Sequence, residues 1–509
     1  MLAQLFALAL SSTQTPTVDG ILAHVRKAVG SDAISGGYRA TGTYMAGGTN
    51  GELALTFTGN GRYLFVQTGR LGQTRCWDGS KAWETDSTGA PIGLHLSELQ
   101  YQNAITWTID GRWLAEDGPM NVTMGDVEPG GDSYTLNLKQ KEGSLVQTVV
   151  VDSKTWMPRS TKFSEGDIDF VMNFSDWKDF GGTKFPTQID TLEGELKGWF
   201  KVDSVSRVDD VPDTIFARPD WNLSSDTTYD DSKSGVIESK RAMTGHLLVH
   251  PTIEGKDVGW FILDSGAGGM AVDPEVAKSL GANLFGELNL GGIGGVVRSG
   301  YFELHDFSLG PVTVKSLNFI SVDLKQFSKF FGVDLAGIVG YDFFRRAVME
   351  IDVASGRIAV FDPKTYSNES AEWAPLLLDG RHPTAVAEFE GDASGRFRID
   401  TGATGTVTFN TPTVKRQNFL ADRETSDNGL AGVGGAVSVK MGKLKYFDLG
   451  GNKFENLTVN FGVGDKGIFA EDFLAGNIGQ DLLKPFRLVF DYDHERLAFV
   501  KLPKGDAGG

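Results

Sequence analysis

Hydrophobic and polar residues alternate in short runs along most of this chain. Val202–Val208 and Leu457–Phe461 keep a period of two, and turn-forming residues close each run. Such alternation places one face of a strand in a core and the other in water. Further strands are predicted at Gly51–Gly59, Arg62–Thr68, Thr148–Asp152 and Asp169–Asp176. Helical signals are confined to Thr17–Val29, Pro274–Leu280 and Leu324–Phe331. The pattern therefore predicts a mainly β protein. Asp220–Ser234 breaks it, being polar, acidic and without periodicity, which predicts an interdomain linker over 223–235. A shorter polar join, Lys364–Glu372, falls later. A length of 509 residues suits about three domains. The breaks place these at 17–222, 236–365 and 370–505.

The last two segments repeat each other. Phe261-Ile262-Leu263-Asp264-Ser265-Gly266-Ala267 is echoed by Phe397-Arg398-Ile399-Asp400-Thr401-Gly402-Ala403. Gly292-Ile293-Gly294-Gly295 recurs as Gly432-Val433-Gly434-Gly435, and Phe307-Ser308-Leu309-Gly310 as Phe447-Asp448-Leu449-Gly450. Ile338-Val339-Gly340 recurs as Asn477-Ile478-Gly479. The aspartates lie 136 residues apart, the glycine clusters and Leu-Gly pairs 140, and the later glycines 139. Blocks in one order at nearly one offset mark a tandem duplication of a small lobe.

The duplicated phrase carries the candidate chemistry. Asp264 and Asp400 each follow an apolar strand and precede a turn. Gly266 and Gly402 permit the turn, so two such loops can approach closely. Ser265 and Thr401 offer short hydroxyls that can reach the opposite loop and fix the carboxylates. Two carboxyls held together cannot both ionise cheaply, so one keeps its proton. The ionised one can take a proton from water while the protonated one donates to a carbonyl, which is peptide-bond hydrolysis without a cofactor. The plainer alternative is a pair of Asp-containing turns with no catalytic role. The glycine stretches Gly292-Ile293-Gly294 and Gly432-Val433-Gly434 fall between strand-like runs and read as hairpin tips. Ile338, Val339 and Ile478 are expected in the core beneath the aspartate loops.

This order of blocks resembles the retropepsin and pepsin superfamily of aspartic peptidases, over roughly residues 240–503. The resemblance implies two tandem pepsin- or retropepsin-like β lobes, 236–365 and 370–505, with Asp264 and Asp400 as catalytic residues supported by Ser265, Gly266, Thr401 and Gly402. It implies that the two glycine hairpins are flaps over a peptide or protein substrate, with Ile293 and Val433 shielding the site. Pepsins carry a tyrosine on one flap; neither tip has one, and Tyr301 lies several residues beyond. In residues 17–222, Cys76-Trp77-Asp78-Gly79, Asp152-Ser153-Lys154-Thr155-Trp156-Met157-Pro158 and Gly182-Thr183-Lys184-Phe185-Pro186 look like the periplasmic lipoprotein-carrier (LolA-like) superfamily. That resemblance implies a curved antiparallel half-barrel wrapped on a helix, with lipid or lipoprotein as its ligand. Trp77, Trp83, Trp107, Trp113 and Trp156 are read as core aromatics.

Charge and cysteine content narrow the class. A net charge of −18 argues against nucleic-acid binding and against docking on anionic lipid. Cys76 is the only cysteine, so no internal disulfide is possible. Residues 1–12, with an apolar run followed by small polar residues, read as a signal peptide and predict a periplasmic or extracellular protein of a bacterium. His246 and His250 share a strand face but have no third ligand, so no metal is expected. The reading is an exported, monomeric aspartic endopeptidase. Its alternative is a non-catalytic binding protein that uses the groove for peptides, or the half-barrel for lipid or lipoprotein.

Overall fold

The computed structural model describes residues 16–30, 37–126, 131–166, 168–208, 210–220 and 226–503. The expected signal peptide, 1–12, lies outside the described residues. The protein is mainly β, with a curled half-barrel sheet and few helices.

The N-terminal sheet has thirteen strands, all paired antiparallel. Its first six strands run in order from the middle of the sheet to one edge, and the remaining seven return from the other edge. The last strand, Leu196–Val208, therefore pairs with the first, Gly37–Ala46. The chain crosses from edge to edge as the helix Leu96–Ile109, which lies in the concavity. The four strands read here from alternation appear at Thr49–Phe57, Tyr63–Gln67, Val146–Asp152 and Ile168–Asp179. The helix expected at Thr17–Val29 runs Val18–Val29, with the Thr17 side chain capping it.

The helix Leu96–Ile109 was not anticipated, and its burial explains why. Ser97, Gln102, Asn103, Thr106 and Thr108 are buried with Tyr101, Ala104, Trp107 and Ile109, so no apolar stripe marks it. Its polar groups are bonded inside: Asn103 accepts from the Tyr63 hydroxyl at 3.2 Å, and Gln147 Nε2 donates to Ala104 O at 3.0 Å and Thr108 Oγ1 at 2.6 Å. A buried polar helix is stable only when such groups are paired.

The C-terminal half is two copies of one strand order. In the first lobe the sheet runs through Leu247–Val249, Trp260–Leu263, Leu335–Val339, Met270–Val272, Val312–Ser321 and Gly295–Leu309. The second lobe repeats this with His382–Phe389, Ala393–Ile399, Gly476–Ile478, Val407–Phe409, Asn452–Gly462 and Gly435–Leu449. A separate five-stranded sheet joins the lobes, where Val348–Asp352 pairs with Phe486–Asp491 and Ile351 faces Leu488. One apolar core runs through both lobes, from Ile237 to Leu497.

The segment expected as a free linker is partly built into the first lobe. Thr227–Tyr229 pairs with Val312–Val314, and Asp226 binds the buried Arg346 guanidinium at 2.8 Å. The N-terminal half is also tied to the two lobes. Asp86 of the half-barrel, with a fully buried side chain, accepts from the Tyr341 hydroxyl at 2.6 Å and lies 3.8 Å from Arg345. Ser97 Oγ donates to Asp379 at 2.7 Å. Burial of charge at this join is tolerable only because the partners meet.

Removing one partner of such a buried set is strongly destabilising. Asp86→Ala is expected to lower the unfolding free energy by about 3 kcal/mol. Urea denaturation checks it; an unchanged midpoint and slope would show that the half-barrel contributes nothing to holding Arg345.

Candidate active site

Each aspartate is delivered by the same local construction. Trp260–Leu263 lies parallel to Leu335–Val339, and Ala393–Ile399 parallel to Gly476–Ile478. The first strand is apolar up to its aspartate, the second carries Arg396 and Arg398, and both are buried in the residues just before it. Each aspartate N–H is still held by the neighbouring strand: Asp264 N donates to Val339 O at 3.0 Å and Asp400 N to Ile478 O at 2.9 Å. The chain then turns. Gly266 N donates to Asp264 Oδ1 and Gly402 N to Asp400 Oδ1, both at 2.7 Å, so each carboxylate folds back on its own loop. The blocks at Gly340 and Gly479 pack under the loops as expected, with Tyr341 N and Gln480 N donating to Ala267 O and Ala403 O.

The two loops are then tied to each other. Ser265 N donates to Thr401 Oγ1 at 2.9 Å, and Thr401 N donates to Ser265 Oγ at 3.0 Å. Each hydroxyl passes its own proton across: Ser265 Oγ to Ile399 O at 2.7 Å, Thr401 Oγ1 to Leu263 O at 3.0 Å. All four bonds are buried and cross between lobes. The approach leaves no room for a side chain after either hydroxyl residue. A Cβ on Gly266 would lie 2.5 Å from Asp400 Cγ, and one on Gly402 would lie 2.3 Å from Asp264 Cγ.

Asp264 and Asp400 are brought within hydrogen-bonding reach of each other. Burial first, and then the Asp400 charge, hold the Asp264 carboxyl well above the usual carboxylate range. The surroundings of the pair are not symmetric. Asn477 Nδ2 donates to Asp400 Oδ2 at 2.8 Å. The position matching Asn477 in the first lobe is Ile338, set by the same parallel register, which can donate nothing. Asp400 thus has a side-chain donor that Asp264 lacks, and Asp264 is the member held toward its protonated form. Asn477 was legible as a polar residue at an apolar position of the repeat.

Above the pair, the glycine clusters are hairpin tips. Leu284–Gly292 pairs with Gly295–Leu309, and Thr425–Gly432 with Gly435–Leu449. The tips touch, with Gly294 N donating to Val433 O at 3.1 Å and the Ile293 side chain lying against Gly432. Val433 packs on the first lobe's apolar face with Ala267, Leu290 and Ile338. Tyr301 sits at the root of the first hairpin, beside Phe285. His246 and His250 do not converge: His246 stacks on Phe331, while His250 stacks on Trp260 and faces Asp257. Among the described residues no three His, Cys, Asp or Glu side chains gather as a metal site.

Residues 249–343 match a family described as aspartyl protease. This stretch holds Asp264 and the first hairpin. No curated protein matches the chain. Among solved structures, a LolA superfamily protein from Nitrosomonas europaea is similar at 18% identity and TM-score 0.31, covering 40% of this chain and 98% of its own. A DUF1329 family protein from Desulfovibrio piger is similar at 13% identity and TM-score 0.29, with the same coverages of 40% and 98%.

The cross-lobe bonds are expected to hold the loops together. Thr401→Val keeps the volume but strands Ser265 N and Leu263 O, at a cost of about 3 kcal/mol. Thermal unfolding checks this. A melting temperature within a degree of the parent would show that water replaces the hydroxyl.

Proposed function

We propose that this chain is an aspartic endopeptidase with two lobes of the retropepsin and pepsin kind, preceded by a lipoprotein-carrier-like half-barrel. The observation that carries the reading is the cross-lobe closure that sets Asp264 against Asp400. Two glycine-tipped hairpins meeting above such a pair supply the means to exclude water from a bound peptide. Export remains an expectation from the sequence of residues 1–12.

In this reading the two carboxyls take different roles. Asp400, which accepts from Asn477, takes a proton from water as the water oxygen attacks the peptide carbonyl carbon. Asp264, held protonated, donates to the carbonyl oxygen, giving a neutral tetrahedral diol. Asp400 then passes its proton to the leaving nitrogen, and Asp264 recovers one from a diol hydroxyl as the C–N bond breaks. Each carboxyl ends as it began. The apolar shelf of Ala267, Leu290, Ile338 and Val433 beside Asp264 favours an apolar substrate side chain next to the cleaved bond.

Cleavage of casein and of short peptides across pH 3–8, with and without a pepstatin-type inhibitor, tests the reading. Asp264→Asn and Asp400→Asn are each expected to abolish turnover with the fold intact; near-parental activity in either removes the assignment. Asn477→Leu removes a bond to the ionised form, so the pair loses its first proton only at higher pH. The acid limb of kcat/KM is then expected to move up by about one pH unit. An unmoved limb would give Asn477 a purely structural role.

A further inference from the structure

A cavity of about 900 Å³ lies where the half-barrel meets the first lobe. One wall is the continuation of the Asp264 loop, Gly268 and Gly269, with Leu288 and Tyr301 of the first hairpin. The opposite wall is the half-barrel, where Tyr44, Phe65 and Phe200 face inward. The half-barrel also grips that hairpin: Glu287 N donates to Gly47 O at 2.7 Å, and Asn289 Nδ2 donates to Glu193 O at 2.6 Å. Gly268 is four residues beyond Asp264, so the chamber begins within about 14 Å of the dyad along the cleft. An extended peptide in the cleft reaches it about four residues from the bond to be cut.

Arg381 and Glu98 line this chamber side by side. The Arg381 guanidinium donates no hydrogen bond among the described residues; its Nε is buried without a partner, and its nearest carboxylate, Glu84, lies 3.9 Å away. Glu84 is already engaged by Arg75 at 3.3 Å. The Glu98 carboxyl likewise makes no hydrogen bond among the described residues. Its Oε1 lies 3.3 Å from where a Cβ on Gly380 would stand, which places it beside Arg381.

The duplication sets Arg381 apart from its counterpart. Gly245-His246 in the first lobe corresponds to Arg381-His382 in the second, at the same offset of 136 as the aspartates. Gly245 has φ +91° and contacts Thr404; Arg381 has φ +72° and its turn contacts Gly268, the counterpart of Thr404. A left-handed conformation costs a non-glycine residue about 1–2 kcal/mol. Where glycine serves in one copy, the other keeps an arginine against strain and aims it at a chamber. Strain observed at such a place points to function.

We propose that Arg381 and Glu98 form a subsite for a carboxylate of the substrate, either its C-terminal carboxylate or an Asp or Glu side chain, about four residues from the cleaved bond. The proposal rests on the endopeptidase reading. A guanidinium binds a carboxylate through two parallel N–H bonds, and a protonated Glu98 donates a third. Burial first, and then the Glu84 charge, push the Glu98 carboxyl up to about 7, while Arg75 and Arg381 pull the other way. Asp379 and Glu165 also face it. Below pH 7 Glu98 is a donor; above it, its charge repels the substrate carboxylate. Recognition therefore weakens as pH rises through 7.

A peptide series with one apolar core tests this. It compares free-acid with amidated C-termini, and Asp with Asn placed about four residues to either side of the cut. At pH 5 one carboxylate arm is expected to show at least tenfold lower KM than its neutral twin, and which arm does so identifies the source. Arg381→Gly relieves the strained turn and so keeps the fold; it is expected to collapse that ratio below twofold. Glu98→Gln is expected to preserve the ratio at pH 8, where the parent loses it. A parental ratio near one, or a ratio unchanged in Arg381→Gly, overturns the proposal. Calorimetric binding of the same peptides to the Asp264→Asn variant gives a reading independent of turnover. Absence of all cleavage with a carboxylate preference in binding would sink the endopeptidase reading and leave the subsite standing.

Discussion

Two loops must approach until the carbon after each hydroxyl residue touches the opposite carboxylate. That single constraint organises the C-terminal half. It forbids a side chain at Gly266 and Gly402, where a Cβ would stand under 3 Å from the facing Asp. It buries four backbone groups that are satisfied by the partner lobe's hydroxyl, so Ser265 and Thr401 must be present together. It also requires the lobes to stay in register. The shared sheet, with Ile351 opposite Leu488, and the core common to both lobes supply that rigidity. A carboxyl pair with one raised pKa follows from geometry of this kind rather than from any special residue.

The half-barrel enters the same mechanical system from the side. It fixes the first lobe from below through Asp86, Tyr341 and Arg345, and it holds the first hairpin through Gly47 and Glu193. Arg70 adds an ion pair to Glu303 at 2.6 Å and lies on the Phe285 ring at the hairpin's base. Among the described residues the half-barrel meets the second lobe at Asp379, Arg381 and Phe473, away from its hairpin. The two hairpins that meet at Gly294 and Val433 are thus unequally restrained. Motions that admit a peptide fall more easily on the second one.

The aspartate loops, glycine tips and sub-loop blocks were legible because each is a short phrase with a local geometric demand, and because each occurs twice. Strands were legible where one face meets water. The helix Leu96–Ile109 was not, since burial on every side erases the amphipathic signal and its polar residues imitate a loop. The segment Asp226–Tyr229 read as linker because a short edge strand carries little apolar residue of its own; Val312–Val314 supplies the pairing from nearly ninety residues away. Contacts across that distance, like Asp86 with Tyr341, leave no trace in local composition.

Duplication offers a way to read function by difference. Wherever the two copies agree, the fold accounts for the residue: the aspartate turns, the hydroxyls, and the glycines at 340 and 479. Wherever they differ at matched geometry, the fold alone does not choose. Ile338 and Asn477 hold the same register against their aspartate strands, as do Ile262 and Arg398. Gly245 and Arg381 both take positive φ in their hairpin turns. All three polar members lie in the second lobe. Asn477 touches Asp400, Arg398 neighbours it in the strand, and Arg381 faces the chamber with the half-barrel. A symmetric pair of lobes would treat both ends of a bound peptide alike. Polar groups confined to one lobe make the two sides of the dyad unlike: a donor to one carboxyl, an arginine lining the chamber, and an apolar shelf on the first lobe. An enzyme made from two free copies of one lobe lacks that freedom, because every substitution would appear on both sides at once.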